Sequence, residues 1–265
     1  DFGMDYRLSF RRETARGAPS LTAEARFERD VEDETESRAT SLLDTQMSPL
    51  PDGITEEQRV LQDEIGSELS AQIDYVRPFG DYLTSEAGYR GSLERIDSDL
   101  YSETRTPVSG AFLPDLDLNN AFAYQQQIHA GYGMISGGAK GLEAQIGVRA
   151  EAVATEFDLL TTAETFDHDY VSLYPSVHLS FGPTDARTYR VSYSKRVRRP
   201  RTWQLNPFGD FSDPTFRRVG NPALDPEYTH SFELGVSQLG NAYTLSLTPY
   251  YRHTVNEISW YEEIT

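Results

Sequence analysis

The sequence has no cysteine, which excludes a disulfide scaffold, a thiolate metal site and a cysteine nucleophile. It has no run approaching the ~20 apolar residues of a membrane-spanning helix. Positive charge is scarce: 24 Lys and Arg face 42 Asp and Glu, a net charge of -18. Such a chain lacks the basic face that a nucleic-acid partner needs. Hydrophobic residues are only 38% of the 265, thin for a large packed interior. Aromatics, however, reach 12%, with 16 Tyr and 13 Phe, which disordered chains do not carry. The start, Asp1-Phe2-Gly3-Met4-Asp5, is neither basic nor apolar, so it reads as a processed product or a fragment rather than a signal peptide.

What is present is alternation. A half-buried strand repeats its apolar side chains every second residue, a helix every third or fourth. Period two runs through 4–10, 21–31, 61–75, 83–93, 122–134, 142–154, 171–181, 189–197, 232–236 and 243–251. In 122–134 the even residues Phe122, Tyr124, Ile128, Ala130, Tyr132 and Met134 are apolar, between Gln125, Gln127 and His129. After a turn at 136–141, the even residues Leu142, Ala144, Ile146, Val148, Ala150, Ala152 and Ala154 are apolar again. The pattern predicts ten strands and no helical domain. Residues 55–70 carry acids that would suit a helix, but their odd positions stay apolar and predict a strand.

The connections alternate too. Short turns are predicted at 15–20, 78–82, 136–141, 182–187 and 238–242. Long polar loops are predicted at 34–56, 104–119, 157–168 and 199–227, with Glu32, Asp33, Glu34 and Glu36 marking a solvated loop. Short turns at one end and long loops at the other describe an up-and-down outer-membrane barrel. Periodicity alone does not separate a barrel, greasy outside, from a soluble sandwich, greasy inside. Charges in mid-strand, Glu64, Glu68, Arg90, Glu94, Glu143 and Arg149, favour a wet lumen. The barrel then requires Ile146, Val148, Leu234 and Leu245 to face lipid, and puts His129 and His178 in the lumen.

The blocks Leu173–Phe181, Tyr189–Pro200, Gln204–Phe208, Asp213-Pro214, Gly220–Glu227 and His230–Gly235, in that order, resemble the outer membrane protein beta-barrel family of TonB-dependent receptors found in Bacteroidetes-like bacteria. The likeness is strongest over 170–258. It implies an all-β, antiparallel, transmembrane barrel segment of about ten strands spanning 1–265. It further implies a Gram-negative outer-membrane location, lipid around the wall, and uptake of a large nutrient (metal chelate, glycan or peptide) energised by TonB. The plug domain and TonB box of that family are not recognisable here, nor is its terminal aromatic, so a piece of a larger receptor barrel is expected. No cofactor and no catalysis are implied.

The loop 199–227 gathers the candidate ligand- or plug-contacting residues: Arg198, Arg199, Arg201, Asn206, Arg217, Arg218, Asn221 and Glu227. Basic residues crowd 187–218, where Asp210 and Asp213 are the only acids. They suit an anionic ligand, a lipopolysaccharide head group or an acidic plug; equally, they suit ion pairs with lumenal acids. Asn206-Pro207 and Asn221-Pro222 read as turns. Trp203 either anchors the loop at a membrane interface or packs within it. Asp167-His168-Asp169 has metal-ligating or hydrolytic side chains, but neighbours on a strand point to opposite faces. The alternatives to a receptor are an outer-membrane barrel hydrolase using that triplet and a secreted glycan-binding sandwich.

Overall fold

The computed structural model describes residues 1–13, 15, 17–116, 118–208, 210–213 and 216–262, with backbone alone at 49, 51, 52, 210–213, 216 and 217. Its strands are β1 (Phe2–Glu13), β2 (Ser20–Leu43), β3 (Pro49–Phe79), β4 (Leu83–Arg105), β5 (Leu113–Pro114), β6 (Asn120–Ala139), β7 (Leu142–Leu159), β8 (Glu164–Thr184), β9 (Arg187–Arg198), β10 (Asp210–Asp213), β11 (Phe216–Arg218), β12 (Glu227–Leu239), β13 (Thr244–Leu247) and β14 (Tyr250–Val255). One four-residue helix, α1 (Thr202–Leu205), lies between β9 and β10. The main sheet is antiparallel and runs β1-β2-β3-β4-β6-β7-β8-β9-β12-β13. Of its 12 strands, β5 is a two-residue annex of β4. β13 and β14 both pair with β12 in one register, Val236 with Leu247 and Tyr228 with Val255. They are halves of one strand, broken where Pro249 has no N–H to give. Ten long strands in simple meander order remain, all-β as the alternation predicts. Among the described residues β1 does not pair with β13 or β14, so the sheet has two free edges.

The outer face carries the apolar residues. Ile146, Val148, Leu234 and Leu245 are 56%, 48%, 56% and 64% exposed, with no second protein layer over them. A sandwich would bury them. Following paired residues across the sheet, one row reads Tyr6, Phe27, Leu69, Leu93, Gln127, Ala154, Asp169. It is greasy on β1–β4 and charged by β8. A row nearer the short turns reads Ile135, Ile146, Val177, Tyr193, Phe232, Tyr251 and stays greasy through β14. The apolar belt therefore crosses the rows diagonally, as tilted barrel strands require. On β3 it runs from Phe79 to Leu69, matching the ~9–11 residues that cross a bilayer.

Two expectations are overturned by strand length. Residues 34–56 are not a long loop: β2 continues to Leu43 and β3 restarts at Pro49, placing Glu32, Asp33, Glu34 and Glu36 inside β2. Likewise 157–168 shrinks to the turn 160–163 between β7 and β8. Beyond the belt both faces of the wall meet water, so a strand with no apolar face still satisfies its backbone by pairing. β3, 31 residues long, rises well past the membrane for that reason. The loops at 106–119 and 199–226 persist.

The face assigned to 122–134 is also corrected. Tyr124 and Ala130 are 4% and 1% exposed, on the inner face, while His129 points outward and bonds the Tyr89 hydroxyl at 2.6 Å. The cause is the turn. Ala139 pairs with Leu142 across Lys140 and Gly141, both at positive φ (52° and 78°), as a two-residue type I′ hairpin needs. A two-residue turn sets even residues of β6 beside odd residues of β7, so the two even apolar series cannot share a face. His178 does lie on the inner face with Ser172 and Tyr174.

The belt generates a prediction. Leu234→Arg places a charge against acyl chains at a cost of about 2–4 kcal/mol near the midplane. Heat-modifiable gel mobility should show assembly sharply reduced. Asp63→Arg, also outward but beyond the belt, should assemble like the parent.

Candidate functional site

The loop after β9 folds onto the inner wall near the ends of β6–β8. Its anchor is charge. The Arg199 guanidinium donates to Glu151 on β7 and to the Tyr170 hydroxyl (3.1 Å) on β8. Arg149 also meets Glu151, at 2.6 Å, and the Glu151 side chain is only 4% exposed. Burial opposes the charge on Arg199, yet Tyr170 and Glu151 hold its pKa above the ordinary value. At the loop's other end Arg198 donates to Glu227 at 3.0 Å. Glu227 is buried and also accepts from the backbone N–H of Ile258 at 2.6 Å.

Between those ends the loop carries an apolar plug of its own. Leu205 of α1 is buried with Tyr124, Phe157 and Leu159, and Phe122, Phe166, Phe208 and Leu224 pack around them. The Phe122 and Phe157 rings stack at 5.1 Å. The sequence supports this locally through turns. The Asn206 side chain accepts from the Phe208 N–H (3.0 Å), and that of Asn221 from the Ala223 N–H (2.9 Å). Gly220 donates to the Asn206 carbonyl, and Asn221 to the Gln204 carbonyl, at 2.8 and 2.7 Å. A Cβ at Gly220 would come within 2.5 Å of the Gln204 oxygen, so only glycine allows this closure.

The predicted residues therefore divide. Arg198, Arg199 and Glu227 are spent on ion pairs within the wall, and Asn206 and Asn221 on turns. Arg218 lies over the Trp203 and Trp260 rings at 5.4 and 5.6 Å. Trp203 packs parallel to Trp260 at 5.2 Å rather than on the lipid belt. Arg201 is exposed on a cavity of about 510 Å³, which it shares with Trp203, Arg218 and the inner faces of β3, β4 and β6. The Arg217 side chain lies outside the described residues. Asp167-His168-Asp169 does not converge: His168 faces inward, 3.4 Å from Asp225, while Asp167 pairs beside Glu156 and Asp169 beside Ala154 on the outer face. Among the described residues no three His, Asp or Glu gather as a metal site. Glu151 is expected on the polar face of its strand, with Glu143 and Arg149, but not among the site residues; Trp260 and Asn120 give no signal in sequence.

Removing one partner of a buried ion pair costs up to about 3–5 kcal/mol, and less where, as on Glu151, a second partner (Arg149) remains. Arg199→Ala should release the loop, read as new protease cleavage within 199–227 on intact cells. Arg199→Ala with Glu151→Gln should recover much of the resistance.

No curated protein matches the sequence. Among solved structures, the copper transporter OprC aligns at TM-score 0.64 and 12% identity, over 94% of this chain and 38% of its own. The siderophore receptor PiuA from Acinetobacter baumannii aligns at 0.62 and 13%, over 94% and 39%. The ferric citrate transporter FecA aligns at 0.58 and 11%, over 94% and 34%. The chain thus spans little more than a third of the length of these structures, and the likeness establishes the fold. The family model described as "Outer membrane protein beta-barrel family" matches residues 14–265, and the chain belongs to that family.

Proposed function

We propose that this chain is the wall segment, without the plug, of a TonB-dependent receptor that imports a large nutrient across the outer membrane of a Gram-negative, Bacteroidetes-like bacterium. One observation carries the reading: the meander is greasy outward and charged inward, with a long loop folded onto its inner wall. A loop held on the inner wall suits a gate over a ligand path rather than an open pore. The structures it resembles are named for copper, ferric citrate and siderophores, so a metal chelate is one candidate cargo beside glycans and peptides. TonB would act through a plug supplied by the rest of the receptor. The inner rows Glu28, Glu68, Glu94 and Glu32, Glu64 set like charges side by side; Arg26 meets Glu28 at 3.1 Å, and the remaining carboxylates cost energy until a basic surface meets them. A plug with a basic flank satisfies that requirement. Hydrolysis gains no support from His168, since among the described residues no hydrogen bond joins its Nε2 to a hydroxyl.

The test is made with the whole receptor. It should fractionate with the outer membrane and resist alkaline extraction. Its cargo should accumulate in cells with TonB and a proton gradient, and accumulation should cease when either is removed. Uptake that persists without TonB would reduce the protein to a passive pore.

A further inference from the structure

We propose that His230 on β12 and His253 on β14 form a two-histidine site for a late first-row divalent cation, Cu²⁺ or Zn²⁺. The two residues are paired directly across the antiparallel ladder. Residues so paired share a face with their Cβ atoms about 4.5–5.5 Å apart, close enough for two imidazoles to turn onto one ion. Side chains set opposite one another on these strands do meet. Thr229 and Thr254, the adjoining pair, join their hydroxyls at 3.1 Å, and Phe232 and Tyr251, two residues along, bring their rings to 6.3 Å.

The two imidazoles differ in their freedom. His230 is half-buried, and its Nδ1 is engaged with the Tyr193 hydroxyl at 2.9 Å, the two rings stacked at 6.1 Å. When Nδ1–H donates to the tyrosine oxygen, the Nε2 lone pair is left for an ion. A hydrogen bond on the other ring nitrogen is what fixes tautomer and orientation in metal-bound histidines. His253 is exposed and has no hydrogen bond, ion pair or ring contact among the described residues, so it can swing toward an ion without breaking a contact. Lys195, opposite His230 on β9, directs its ammonium over the rings of Tyr228 (4.3 Å) and Tyr174 (5.6 Å), which engage its charge.

The donors select the ion. Imidazole suits copper, zinc and nickel, whereas calcium and magnesium seek oxygen. The paired face offers the hard cations nothing. Beside the histidines it carries Tyr228, Phe232 and Leu234 on β12 and Tyr251 and Val255 on β14, and no carboxylate. Two nitrogens fill part of a tetrahedral set, and water takes the open positions. Neither histidine lines the cavity under the β9–β12 loop, so the site is separate from any ligand path there and does not depend on import.

The test uses the whole receptor purified in detergent, with Cu²⁺ as the probe and electron paramagnetic resonance as the readout. The difference spectrum between the parent and His253→Ala should show two coordinating imidazole nitrogens. His253→Ala should weaken that component tenfold or more, and since His253 makes no contact, assembly should be unaffected. Zn²⁺ should displace the Cu²⁺; equal Ca²⁺ or Mg²⁺ should not. Tyr193→Phe keeps both ligands and removes only the orienting hydrogen bond, so binding should weaken about 10–100-fold. His129→Ala should change nothing: His129 also bonds a tyrosine, but faces Ala152 across the ladder rather than a second histidine. A difference spectrum with fewer than two nitrogens, affinity indifferent to His253→Ala, or displacement by Ca²⁺ would overturn the site. Affinity indifferent to Tyr193→Phe would overturn the orienting role of Tyr193.

Discussion

Inside a bilayer no water pairs with a backbone N–H or C=O, so each must find its partner on a neighbouring strand. Everything else in this fold follows from that demand. It imposes the meander, because antiparallel neighbours joined by short turns pair most simply. It imposes the tilt, visible as the diagonal course of the greasy belt across paired rows. It also sets the cost of the two edges, at β1 and β13–β14, that find no partner among the described residues.

Once pairing is met, each face answers to its own solvent. Outward positions follow lipid over the belt and water beyond it. Inward positions follow an aqueous lumen, and there charge concentrates. The β9–β12 loop exploits this. Two of its arginines do not stay open for a ligand but fasten it to the wall, Arg199 on Glu151 and Arg198 on Glu227. The ion pairs fix where the loop lies, while Leu205 and its aromatic neighbours supply the apolar contact that keeps it down.

Period two made the strands legible, including the acidic stretch 55–70, and the ordered Pro and Gly blocks of 170–258 made the family legible. Two things were hidden. Where a strand leaves the membrane its alternation fades, so the Glu32–Glu36 segment reads as loop although pairing continues; hydropathy records the solvent, not the ladder. The inward face of β6 was hidden because its apolar residues pack under a folded loop. Tyr124 is greasy for the sake of Leu205, not for lipid, and only the two-residue turn at Lys140-Gly141 betrays the parity. Of the site, the basic crowding was visible and its partners were not, since Glu151 and Trp260 come from distant elements.

The stacking of Trp203 on Trp260 joins a lumenal loop to the stretch that follows the last strand. These are the only two tryptophans in the chain, parallel within 2°. Their transition dipoles are therefore coupled, and this segment should show an exciton signature in its ultraviolet dichroism. Lifting the loop would uncouple them, so the pair acts as an internal optical gauge of whether that end of the lumen stands shut or open.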